Sequence, residues 1–125
     1  MQTARPISDT PASEASGLTD LAFHEITGAI LSGIEATVDR WLQDDIIDID
    51  SQRTGGLLEL SFPGGSKIII NTQPPLHELW LAARAGGYHF RHVKGRWVER
   101  EGQEFFELLS ARASEQGGCQ LRFMP

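Results

Sequence analysis

The chain has 125 residues, 40% of them hydrophobic, which suits one compact domain with a single core and is too short for two. Its formal charge of -6 is uneven: residues 20–50 hold eight acids (Asp20, Glu25, Glu35, Asp39, Asp44, Asp45, Asp48, Asp50) against Arg40 alone, whereas residues 51–125 hold seven acids and nine bases. Such an acidic block argues against nucleic acid as a partner and for cations or a basic protein, and the single cysteine, Cys119, argues against a disulfide, a structural zinc or a cysteine-held cluster.

Residues 1–18, MQTARPISDTPASEASGL, are rich in Ser, Thr, Ala and Pro, and Arg5 is offset by Asp9 and Glu14. That composition predicts a disordered leader rather than an arginine-rich transit peptide. No run of about 18 apolar residues appears, so no membrane-spanning helix is expected.

Thr19 or Asp20 is a plausible N-cap for the stretch LTDLAFHEITGAILSGIEATVDRW. Phe23, Ile26, Ile30, Ile34, Val38 and Trp41 recur at spacings of three and four, the mark of an amphipathic helix. At about 100° per residue these six fall within an arc of about 120°, and His24, Glu25, Glu35 and Asp39 fall within about 100° on the opposite side.

After Asp45 the period changes. Ile47 and Ile49 alternate with Asp48 and Asp50, which predicts an edge strand with its isoleucines inward and its charges outward, where they discourage pairing with other chains. GLLELSF, the turn PGGS and KIIIN predict a hairpin. After Pro74-Pro75 come LHELWLAA, GGYHFRHV, a Lys94-Gly95 turn and RWVER; Leu76–Ala83 is ambiguous, because Leu, Ala and Glu also favour helix. GQEFFELLSARASEQGG predicts a second helix with Phe105, Leu108, Leu109 and Ala113 on one face and Gly117-Gly118 as its stop. The expected architecture is an α+β two-layer sandwich: a meandering antiparallel sheet of six strands, N- and C-terminal helices on one face, and the other face open.

No GxSxG, P-loop, HExxH or GxGxxG motif is present. His89 and His92, three apart in a strand, point to opposite faces, which argues against a shared metal, and His77 reads as a surface residue beside a turn. The acids are more informative, since the outward helix face runs straight into the acidic strand row. Carboxylate oxygens suit hard cations, but open monodentate carboxylates cannot replace an ion's water shell, so binding should be weak, multiple and poorly selective. Trp80, if LHELWLAA is a strand, lies on the open face with Asn71 and Gln73, an arrangement typical of an interface anchor.

The strings GSKIIINTQPPLHELWLAARAGGYHF and FHEITGAILSGIEATVDRW resemble the bacterial frataxins, the CyaY family, over about residues 20–123. The resemblance implies a frataxin-like domain over residues 19–125. It implies a cytoplasmic, non-enzymatic bacterial protein that binds iron (Fe2+/Fe3+) weakly, carries no iron–sulfur cluster of its own, and regulates cluster assembly by docking on the cysteine desulfurase and its scaffold protein. Such a protein is mostly monomeric, with iron-dependent oligomers as a variant, and has no nucleic-acid or membrane partner. A ferroxidase, or an iron donor or storage protein, is the alternative. Carried over by position, the iron ridge is Glu35, Asp39, Asp44, Asp45, Asp48 and Asp50, with His24 and Glu25 near its start, and Asn71, Gln73 and Trp80 match the family's partner-binding sheet surface. Relatives often carry further acids where this chain has Ala36 and Arg40.

Overall fold

A computed structural model describes residues 18–125, so the leader expected over residues 1–18 lies, apart from Leu18, outside the described residues. Leu18 itself packs against the core. Thr19 is the N-cap of helix α1 (Asp20–Gln43), its hydroxyl accepting the Ala22 N–H at 3.0 Å, which satisfies one of the helix's orphan donors. Six strands follow: β1 (Asp50–Thr54), β2 (Leu57–Ser61), β3 (Lys67–Gln73), β4 (Glu78–Ala83), β5 (Gly86–Val93) and β6 (Arg96–Val98). Helix α2 (Phe105–Gly117) closes the order and ends at Gly118, which takes the left-handed conformation at φ 75°.

The strands form one antiparallel sheet in sequence order, β1 to β6, as a meander built from short connections must. Registers align Leu58 with Ile70, Ile70 with Leu81, and Leu79 with Phe90, so the inner face is a continuous apolar surface. Both helices bury their apolar faces in the same core: Phe23, Leu31, Ile34, Val38 and Trp41 from α1, and Phe105, Leu108, Leu109 and Ala113 from α2. The segment Leu76–Ala83, ambiguous by composition, follows a short 3-10 turn at Pro74–Leu76 and forms strand β4 from Glu78, because ladders on both sides and a buried face at Leu79 and Leu81 outweigh helix propensity.

Two expectations are corrected. The inward stripe of α1 includes Thr27 and Leu31, and Ile26 and Ile30 are only half-buried. Thr27 belongs there because its hydroxyl donates to the Phe23 carbonyl at 2.8 Å, leaving the buried polar atom satisfied, a possibility that counting apolar residues misses. The strand expected from Ile47 begins only at Asp50. Its partner β2 ends at Ser61, after which Phe62 turns into the PGGS connection (Phe62 N–H to Ser66 O, 2.9 Å), and the β1–β2 ladder stops at the Asp50–Ser61 pair. The alternation still holds in burial: Ile49 is buried, and Asp48 and Asp50 are exposed.

The C-terminal residues also belong to the core. Ser110 and Ser114, one helical turn apart on α2, bond both backbone groups of Phe123 and Leu121 respectively. Phe123 thereby reaches Trp41, ring centroids 4.8 Å apart, and ties the tail to both helices.

Candidate functional site

The acidic face is assembled by three successive pieces of backbone. On α1, His24, Glu25 and Asp39 are exposed and Glu35 is half-buried. The helix then ends at Asp44, and Asp45 adopts the left-handed conformation at φ 57°, which a short polar side chain tolerates better than most. The connection is drawn inward by Ile49 and by Ile47, whose Cδ1 lies 2.9 Å from where a Cβ on Gly117 would stand. With the isoleucines held inside, Asp44, Asp45, Asp48 and Asp50 all remain exposed along the rim between α1 and the β1 edge. Arg40 is exposed in the same stretch.

Not every carboxylate on this face is open. Arg53, on β1, reaches back to α1, where its Nη1 lies 3.0 Å from both Glu35 Oε1 and Ser32 Oγ. Arg53 was not among the residues singled out from sequence. Its partner is 18 positions away, so no local pattern announces the pair. Among the described residues no group of three or more His, Cys, Asp or Glu side chains is arranged to hold a metal ion. The rim is therefore a field of separate carboxylates rather than a cage, suited to loose, water-bridged cations and to long-range attraction of positive surfaces.

The open sheet face carries a second constellation. Register places Asn71 opposite Trp80, and Trp80 opposite His89; one row along, Gln73 faces Glu78, and Glu78 faces Arg91. The three residues expected there are thus brought together, and Glu78, His89 and Arg91 join them. Strand parity in GGYHFRHV was the signal for the last two, since residues two apart share a face. The same parity separates the histidine pair: His89 stacks on Trp80, and His92 packs edge-on against Trp97 on the inner side. His77 is more covered than a turn-side surface residue, with its ring stacked on Phe23 and its Nε2 2.7 Å from Asp20.

Beside this row a cleft of about 510 Å3 opens between Glu78, His89 and Arg91 and the connection from β6 to α2. Glu99 shapes that connection by accepting the N–H groups of Glu101 and Gln103, both at 2.8 Å. From β1, which carries Asp50, to β4, which carries Trp80, is three strand spacings, roughly 14 Å. One protein partner of ordinary interface size could cover both.

A family model of a frataxin-like domain matches residues 16–119. The chain is 46% identical over 105 residues to the iron-sulfur cluster assembly protein CyaY of Albidiferax ferrireducens, covering 83% of this chain and 96% of that protein. Its structure resembles the frataxin of Psychromonas ingrahamii with a TM-score of 0.76 at 32% identity, covering 86% of this chain and all of the other. A trimeric yeast frataxin complexed with ferrous iron shares the fold, with a TM-score of 0.62 at 23% identity over 74% of this chain and 85% of that one.

Proposed function

This chain belongs to the frataxin-like family, and on that premise we propose that it is a non-enzymatic regulator or adaptor of iron–sulfur cluster assembly. In this reading it binds Fe2+ and Fe3+ weakly along the rim from Asp39 to Asp50. It docks on a cysteine desulfurase and scaffold through that rim and through the face carrying Asn71, Gln73 and Trp80. Its relatives named for iron-sulfur cluster assembly support the process. The observation that supports a binding role is the exposure of the rim carboxylates along one edge of the fold. Oxidation of iron by a protein ordinarily uses carboxylate and histidine ligands held close together inside a bundle core. A bacterial cytoplasmic location belongs to the same reading, and no described helix is long and apolar enough to cross a membrane.

The test is a reconstituted cluster-assembly assay with purified desulfurase and scaffold, run across iron concentrations. The protein is compared with a variant in which Asp39, Asp44, Asp45, Asp48 and Asp50 are all changed to Asn. The reading expects the wild type to alter the assembly rate and the variant to lose most of that effect. Equal effects would remove the rim from the mechanism. Oxygen uptake on adding anaerobically handled Fe2+ should be no faster with the protein than without it; a catalysed uptake would instead establish a ferroxidase.

A further inference from the structure

Arg53 stands on the inward-facing row of the edge strand, where the core has run out and α1 passes overhead. Its guanidinium lies along a stripe of α1 that the sequence keeps small. Nη2 is 3.9 Å from where a Cβ on Gly28 would be, Nη1 bonds Ser32 Oγ and Glu35 Oε1 at 3.0 Å each, and Nε lies 3.4 Å from the Gly55 carbonyl. Gly28, Ser32 and Glu35 are four and three residues apart, so they form one ridge-to-groove track on the helix surface. A Cβ on Gly28 would sit in ordinary contact with the guanidinium, so the small residues let it lie close along the helix. The side chains of Arg53 and Glu35 are 29% and 31% exposed, whereas Asp39, Asp44, Asp45, Asp48 and Asp50 are exposed and, among the described residues, in no ion pair.

We infer that Arg53 is a built-in counter-cation that withholds Glu35 from the acidic face, leaving the aspartates from Asp39 to Asp50 as its cation-responsive part. The inference rests on the reading of that face as a cation-binding surface and specifies how it is regulated. An incoming divalent ion meets the aspartates with only water to displace, but at Glu35 it must also displace a guanidinium held by several partners. The guanidinium meets Glu35 through Nη1 alone, and its bond to Ser32 Oγ and its contact with the Gly55 carbonyl hold it in that place.

The experiment is an NMR titration with Mg2+, a diamagnetic hard cation, following the side-chain carboxyl 13C resonances. Iron and other paramagnetic ions would blur Glu35 together with Asp39, one helical turn away. In the wild type, the aspartate carboxyls should shift at concentrations that leave Glu35 still. In Arg53→Gln, Glu35 should shift with them, with an apparent affinity about two- to fivefold above its wild-type value, the range open to a partly exposed pair. Arg96→Gln, an exposed change on β6 with the same effect on net charge, should not free Glu35. Ser32→Ala, which keeps both charges and removes one tether, should give a smaller gain than Arg53→Gln. Glu35 shifting together with the aspartates in the wild type, or an unchanged Glu35 response in Arg53→Gln, would overturn the inference while leaving the cation-binding reading in place. No carboxyl shifting at any Mg2+ concentration into the millimolar range would overturn both.

Discussion

The indole of Trp80 lies flat against the imidazole of His89, ring centroids 3.9 Å apart and planes 5° from parallel, and its Nε1–H donates to Glu78 at 2.8 Å. A large aromatic on an open sheet face is thereby held in one orientation before any partner arrives. Fixing the ring in advance lowers the ordering cost that binding would otherwise carry.

If the proposed docking role holds, Trp80→Ala should weaken binding to a desulfurase–scaffold complex by at least tenfold, because a rigid, half-exposed tryptophan has the character of an interface hot spot. The fold should lose only about 1 kcal/mol, since Trp80 packs outside the core. His89→Ala should give a smaller loss of affinity, by removing the stacking partner and leaving the indole in place. Calorimetric titration paired with chemical denaturation checks both; equal affinity for Trp80→Ala and wild type would exclude the face from docking.

The rim should act through summed charge. On the proposed docking role, changing the five aspartates from Asp39 to Asp50 to Asn should slow association with a desulfurase at least tenfold at low salt and remove most of its dependence on ionic strength. Stopped-flow association rates at two salt concentrations measure this. A steep salt dependence surviving in the variant would place the attraction elsewhere.

Core contacts made by the C-terminal residues should matter for stability out of proportion to their position at the end of the sequence. Phe123 is 2% exposed, so Phe123→Ala should cost about 3–5 kcal/mol, as for other large-to-small core changes. Ser110 accepts the Phe123 N–H at 2.8 Å, and Ser110→Ala should cost about 1–3 kcal/mol by leaving that buried donor unpaired. Urea unfolding midpoints are the measurement, and near-wild-type values for both would show that the tail is not part of the cooperative unit.

Gly56 lies where Thr72 crosses closely: a Cβ there would stand 2.1 Å from Thr72 Oγ1, and the Gly56 carbonyl accepts the Thr72 N–H at 2.9 Å. Gly56→Ala should destabilise by about 1 kcal/mol, the low end for an extra methyl, because the position is exposed and only the Thr72 side chain must give way. Thr72→Ala, which removes the clashing oxygen, should recover most of that loss in the double variant. Additive losses in the double-mutant cycle would contradict the close approach.

Much of the architecture was legible because it follows from short-range repeats. The three-and-four spacing from Phe23 to Trp41, the period of two in β2 to β5, and turn chemistry at PGGS and Lys94-Gly95 each involve a few neighbouring residues. The placement of Asn71, Gln73 and Trp80 on one face came from the same parity. Less legible were features that need a distant partner. The segment Ile47–Ile49 has a strand's alternation but no ladder, because β2 has already turned away. Leu121 and Phe123 gave no signal without the serines of α2 that hold them.

The separation of charge from core was determined by the sequence itself: helical and then extended periods send Val38, Trp41 and Ile49 inward and Asp39, Asp48 and Asp50 outward, whatever lies next to them. Which carboxylates stay available was decided only by tertiary structure. Folding brings Arg53 of the edge strand against Glu35 of α1, 18 residues apart, and leaves the aspartates of the rim to solvent. Periodicity acts through the local geometry of one backbone segment, whereas an ion pair depends on where two segments come to rest, and that is set by the packing of the whole core.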